Sequence, residues 1–224
     1  MSAPSALEAV CFDLDGTLVD SQPGIEGSLR AAVAEVLPDR VLGDVRALIG
    51  PPLPAMLAEL LPDVPEAHAA ITTAFRARYD ADGWRHADPY PGVVAALDAL
   101  RDAGLRLDVV TNKRAAPTAL ILQSAPFAGR FTLAVSPDSA EPRHEQKADA
   151  LCAVLTESGI APERMAYVGD SEEDRLAARR TGCRFLAVAW GYGRAGVTSC
   201  PGDLGVAAHP SQLPALLLTD AHRP

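Results

Sequence analysis

The sequence has no apolar run long enough to cross a bilayer, which excludes a membrane-spanning helix as the reading of any segment. Residues 1–7 carry neither the basic stretch nor the long apolar core of a secretory signal. Cysteine is scarce, and Cys11, Cys152, Cys183 and Cys200 show no paired spacing. That excludes a disulfide framework and a cysteine zinc site. Cys11 and Cys183 sit in or beside apolar runs and read as small buried side chains. The five histidines have no metal-ligand spacing and are expected on the surface or in loops. Positive charge is also short: 20 Lys and Arg stand against 29 Asp and Glu, for a formal net charge of -9. Such a surface argues against nucleic acid and against an anionic membrane face. It leaves an anionic small substrate open, because a local site or a bound metal reverses the field nearby. No internal repeat or low-complexity tract interrupts the chain, although alanine is abundant. A cytoplasmic protein is expected.

What is present is an ordinary globular composition. The 224 residues are 48% hydrophobic and 22% charged. That length supports one large domain, or a core domain with a smaller insertion.

A short apolar run over residues 9–12 predicts a strand, and the Asp15-Gly16 turn follows at once. From residue 19 to residue 87 the patterns are helical, broken by prolines, with no strand pattern. Ile25, Leu29 and Val33 share one helical face, and Pro38 ends that helix or follows its end. Gly50-Pro51-Pro52 breaks the segment, and helices are predicted over 53–61 and 65–79. Beyond Pro89-Tyr90-Pro91-Gly92 the texture alternates. Helices are predicted over 92–103, 117–123, 147–158, 172–181 and 212–218, and strands over 105–110, 131–135, 165–168 and 185–189. Strands alternating with helices of this length mean crossover units and a parallel sheet. The first strand joins that sheet, so the helical segment is an insertion after it.

In an open parallel sheet, ligands bind beyond the carboxyl ends of the strands. The first strand is followed there by Asp13-Leu14-Asp15-Gly16-Thr17. The second is followed by Thr111-Asn112-Lys113, and the strand at 165–168 by Gly169-Asp170-Ser171-Glu172-Glu173-Asp174. Lys147 opens the helix before that last strand. Carboxylates gathered at one edge repel unless something offsets them. Magnesium does so with few carboxylates, several waters and phosphate oxygens. Asp13 and Asp170 are the expected direct ligands, with the backbone carbonyl of Asp15 as a further oxygen. Asp174, one helical turn beyond Asp170, can ligate or hold a metal water. An ionised aspartate attacks phosphorus without prior deprotonation, so Asp13 is the candidate nucleophile. Asp15 is placed to protonate the leaving alkoxide and then to deprotonate the water that opens the acyl phosphate. The first step needs a proton on Asp15, which neighbouring negative charge is expected to hold there. Thr111 and backbone amides would grip the phosphoryl oxygens, and Lys147 would offset their charge.

Taken singly, these residues have plainer readings. Asp15-Gly16 is a common turn, Asp170 and Ser171 suit a helix N-cap, and Asp174 suits an exposed first turn. Lys113 and Arg114 read as rim charges that attract substrate, although Lys113 competes with Lys147 for the central role. It is their order and register together that favour chemistry.

Residues 12–21, Phe-Asp-Leu-Asp-Gly-Thr-Leu-Val-Asp-Ser, resemble the first motif of the haloacid dehalogenase-like hydrolase superfamily. Thr111-Asn112-Lys113 resembles its second motif, Lys147 its third, and Gly169-Asp170-Ser171 through Asp174 its fourth. The helical insertion, Ile49-Gly50-Pro51-Pro52-Leu53 and Trp190-Gly191-Tyr192 are similar to the phosphoglycolate phosphatase-like branch. Two departures stand out: Ala148 follows Lys147 where proline is usual, and Asp15 is present where the founding dehalogenases lack an acid. The second argues for phosphoryl chemistry.

The resemblance implies an α/β fold: a Rossmann-like parallel sheet core with helices on both faces, over residues 1–18 and 88–224. It also implies a small all-α cap over residues 19–87, with hinges near 19–23 and 87–91. The cap would close over the sheet edge, with the loop at 50–53 as a specificity element and Arg46 as its nearest cation. The expected activity is hydrolysis of a small phosphorylated metabolite, first 2-phosphoglycolate, with Mg2+ as cofactor. The expected substrate contacts are Gly16, Thr17, Thr111, Asn112 and Lys113. A sugar phosphomutase of the beta-phosphoglucomutase type and a pyrophosphatase are alternatives on the same fold, and a non-catalytic phospho-ligand binder is another. The sequence does not fix the oligomeric state.

Overall fold

The computed structural model describes residues 6–193 and 200–218. The outer ends of the expected core domain, residues 1–5 and 219–224, lie outside them. In chain order the elements are β1 (Ala9–Phe12), β2 (Val19–Asp20), α1 (Gln22–Val36), α2 (Leu53–Leu60), α3 (His68–Ala81), β3 (Asp88–Pro89), α4 (Val93–Asp102) and β4 (Arg106–Val110). They continue as α5 (Ala115–Gln123), β5 (Leu133–Val135), α6 (Lys147–Ser158), β6 (Met165–Gly169), α7 (Glu172–Thr181), β7 (Arg184–Val188), β8 (Gly205–Ala207) and α8 (Leu213–Leu218).

Six strands form one parallel sheet in the order β5-β4-β1-β6-β7-β8. Side chains alternate across its two faces. Val10 and Phe12 point into a cluster with Val93, Leu97, Leu100 and Leu213. Ala9 and Cys11 point into the opposite cluster, with Leu151, Val154, Ala177 and Ala178. Burial on both faces explains why β1 reads as an unbroken apolar run. From β1 the chain steps outward to β4 and β5, then returns to place β6 on the other flank of β1. The strand order therefore switches between β1 and β6, where such sheets open a crevice.

The helical segment has its own core. Ile25, Leu29 and Val33 of α1 pack with Leu48, Met56, Leu57, Ile71 and Tyr79, and Tyr192 joins them from beyond β7. Helix α1 stops at Val36, two residues short of Pro38. Three strands were not expected from the sequence. Val19–Asp20 pairs antiparallel with Asp88–Pro89, so the two chain crossings into and out of the helical segment form one ribbon. Two residues carry no period, and a proline argues against a strand except at an edge, where β3 lies. The third unexpected strand, β8, is three residues long, begins at a glycine and is held by pairing with β7. No helix among the described residues is long and apolar enough to cross a membrane.

Candidate active site

Asp13 follows β1 and Asp170 follows β6, adjacent strands on either side of the switch. The register places Phe12 beside Val168, and the Asp13 amide donates to the Val168 carbonyl at 2.9 Å. Asp174 reaches the same place from the first turn of α7. One carboxylate oxygen from each of Asp13, Asp170 and Asp174 lies within 4.8 Å of the others. All three side chains are buried, as is Lys147.

Lys147 stands at the start of α6 and points between two of the acids. Its Nζ donates to Asp13 Oδ1 at 2.9 Å and to Asp174 Oδ1 at 2.6 Å. A lysine at that helix end opposes the dipole, and the two carboxylates account for it. Burial works against its charge, but Asp13 and Asp174 outweigh burial and hold the ammonium well above its ordinary range. Two of the three carboxylates pair with this lysine, and Asp170 does not. Burial, with help from Asp174 and Asp170 and against the pull of Lys147, pushes Asp13 up. Burial and Asp174 push Asp170 up to about 6, although the amides of Tyr192 and Gly193 donate to its Oδ2 at 2.6 and 3.1 Å. An all-oxygen, over-anionic, buried cluster is what a hard divalent cation fits.

Asp174 differs from the other two acids. Its Oδ1 accepts from Lys147 and, at 3.1 Å, from Tyr167. Its Oδ2 accepts from the Ser171 amide at 3.0 Å and hydroxyl at 2.5 Å, and Ser171 Oγ accepts in turn from the Asp174 amide at 3.2 Å. This is a reciprocal capping box at the start of α7. Asp174 is fully buried, not the exposed first-turn acid of the plainer reading.

The turn after β1 needs Gly16. Its φ is +86°, and a Cβ there would fall 2.4 Å from Asp170 Oδ2. The amides of Gly16 and Thr17, expected to touch substrate, donate inside the turn to Val19 and Leu14. The amides of Leu14 and Asp15 instead have no acceptor among the described residues. Thr17 is buried, its Oγ1 lacks a partner among the described residues, and its carbonyl accepts from Trp190 at 3.0 Å. Gly191 packs equally close, since a Cβ there would sit 2.2 Å from Asp170 Oδ2.

Asp15 has a positive neighbour rather than the negative ones expected. Lys113 Nζ lies 3.0 Å from Asp15 Oδ2 and donates to the Tyr79 hydroxyl at 2.8 Å. Burial lowers the Lys113 ammonium, but Asp15 and Tyr79 reverse that and raise it. Its side chain is only 6% exposed, so it is not a rim charge. Arg114, the other expected rim charge, is half-buried and paired with Asp80. Asp15 Oδ1 is buried without a partner among the described residues. Thr111 is buried at the end of β4, where its Oγ1 accepts from the Lys113 amide at 3.2 Å. Asn112 is turned elsewhere, donating to Glu173 at 3.1 Å and to the Gly50 carbonyl at 3.2 Å. Arg46 bonds Gln22 and lies over the Tyr192 ring. Tyr79, Tyr167, Tyr192 and Glu173 were not singled out as site residues. Each is far in sequence from the acid or amide it serves or lies on a face that periodicity assigns to packing, though Trp190-Gly191-Tyr192 marked the right stretch.

A family profile described as haloacid dehalogenase-like hydrolase matches residues 10–188. The chain belongs to that family. Within it, phosphoglycolate phosphatase from Cereibacter sphaeroides is 34% identical over 217 residues, covering 94% of this chain and 98% of that protein. Tyrosine-protein kinase PtkA from Mycobacterium tuberculosis is 36% identical over 190 residues, covering 84% of this chain and 64% of that longer protein. The crystal structure of a predicted phosphatase from Clostridium acetobutylicum superposes with a TM-score of 0.84 at 26% identity, covering 96% of this chain and 99% of that one. The chain is thus an enzyme of the phosphoglycolate phosphatase-like branch, with the parallel α/β core of the family.

Proposed function

We propose that the protein is a magnesium-dependent phosphatase for a small phosphomonoester, with 2-phosphoglycolate as the first substrate to try. One observation carries the reading: three buried carboxylates and a lysine meet at the switch point of the sheet. Asp13 and Asp170 would hold the metal with the Asp15 carbonyl. Asp174, whose two oxygens are already bonded, would orient Lys147 and border the site. When bound, magnesium would offset the carboxylate repulsion and draw charge from the phosphoryl oxygens.

The rest falls to the chain's own groups. Asp13 Oδ1 is held by Lys147, while its other oxygen accepts no hydrogen bond among the described residues and is free to attack phosphorus. As the ester P–O bond breaks, Asp15 would pass a proton to the leaving oxygen, a step that requires it to carry that proton against the pull of Lys113. Lys113, 3.0 Å away, stabilises the carboxylate that remains. Asp15 then takes a proton from the water that attacks the phosphoryl group on Asp13, releasing phosphate and restoring the carboxylate. The amides of Leu14 and Asp15, which have no acceptor among the described residues, and the Thr111 hydroxyl would be the donors for the phosphoryl oxygens, with Lys147 balancing their charge. The helical segment at 19–87 would act as a cap over this edge, swinging on the β2–β3 ribbon.

The test is phosphate release from a monoester panel in magnesium and in EDTA. Asp13→Asn is expected to lose about 10³-fold or more in kcat. Full activity in that variant rejects Asp13 as nucleophile, and full activity in EDTA rejects the metal role. Isomerisation of a hexose 1-phosphate without phosphate release would favour the mutase.

A further inference from the structure

A cavity of about 160 Å³ opens beside Asp15, between the helical segment and the sheet edge. Asp15, the proposed proton donor to the leaving oxygen, lines it while Asp13 and Thr111 do not, which fits the leaving-group side of the proposed site. Its walls are mostly apolar, with Ile25, Ile49, Leu53, Met56 and four prolines among them. Phe75 and Tyr79 stack on one another at 5.4 Å and add an aromatic face. An apolar cavity of ~150 Å³ holds a benzene-sized guest. The leaving alcohol can therefore be as large as a six-membered ring, well beyond two carbons.

The charge around this cavity is one-sided. In a chain of net charge -9, its lining holds Arg76, Lys113, Arg114 and Arg143 against the single carboxylate of Asp15. Lys113 is engaged by Asp15, and Arg114 by Asp80. Arg76 and Arg143 have no acidic partner among the described residues. They come from opposite sides: Arg76 from α3 of the helical segment, Arg143 from the loop leading to Lys147. Arg143 also lines the adjoining space that reaches Thr111 and Lys147, which places it where the two compartments meet. Arginine presents a fixed fork of donors suited to carboxylate and phosphate.

We infer that Arg76 and Arg143 are specificity residues that grip a second acidic group, carried on an apolar or ring-sized leaving alcohol. The inference rests on the phosphatase reading above and names the class of ester that the site selects. Both arginines are exposed, so each such charge-assisted contact is worth about a few-fold in binding.

The experiment uses a matched pair of esters on the intact chain: 4-carboxyphenyl phosphate and phenyl phosphate, with magnesium. The readout is the ratio of their kcat/KM values, which is blind to any loss common to both, misfolding included. The ratio is expected to favour the acid by about five- to tenfold with both contacts made. It is expected to fall several-fold in Arg76→Gln and in Arg143→Gln, and towards one in the double variant. Arg→Lys at either position should keep part of the preference. A wild-type ratio near one overturns the inference while leaving the phosphatase standing, and so does a ratio unchanged in the double variant. Hydrolysis of neither ester, nor of any other monoester, overturns both.

Discussion

Replacing Lys147 by methionine keeps most of the side chain's length and removes the one cation that the described residues place inside the acidic cluster. The ammonium lies 2.9 Å from one carboxylate and 2.6 Å from another. At an effective dielectric of ~20, Coulomb's law gives roughly 6 kcal/mol for each contact, or about 12 kcal/mol gross. The lysine's own lost hydration takes back much of this, and breaking a buried pair from one side costs about 3–5 kcal/mol net. For a chain of this size that lowers Tm by about 6–20 °C. The loss should depend on pH. Lys147 pulls the Asp13 and Asp170 carboxyls down, so its removal raises them further in the folded state. An acid raised on folding destabilises above its folded pKa and stops doing so below its unfolded one. Metal-free Lys147→Met should therefore be most destabilised near pH 7.5 and recover towards pH 5, as protons replace the missing cation. Urea unfolding in EDTA at the two pH values measures both quantities. A cost below about 1 kcal/mol at pH 7.5, or one that does not shrink on acidification, would refute the reasoning.

Gly191→Ala pushes a methyl group against Asp170 and should weaken magnesium binding by about tenfold or more, read from the metal concentration that half-saturates the thermal shift. A shift that saturates at the wild-type concentration counts against the placement of Asp170. In the wild-type chain, Asp170 at about 6 must shed its proton to ligate, so the magnesium-induced rise in Tm should be full at pH 7.5 and fade as pH falls through 6. A rise of equal size at pH 5 would mean that other groups hold the ion.

Much of this geometry was legible because it depends on short-range rules. Ala9 to Phe12 form a short unbroken apolar run closed by a turn, so the strand announces itself, and the acid at its end is then fixed at the sheet edge. The β2–β3 ribbon was hidden because two residues have no period and Pro89 points away from a strand. The choice between Lys113 and Lys147 was open in the sequence, since both lie near strand or helix ends. It turns on the fold: α6 directs Lys147 between β1 and α7, whereas Lys113 turns toward Asp15 and the distant Tyr79. Asp170 likewise depends on amides 22 and 23 residues away, which no local pattern encodes.

The capping box at Ser171 has a further consequence. The carboxylate that starts α7 is the same one that anchors Lys147. A survey of stability variants would score Asp174 as part of the scaffold, and a survey of turnover would score it as part of the machinery. Neither score could be assigned to one role alone, because no substitution at this position reaches the helix without also reaching the lysine.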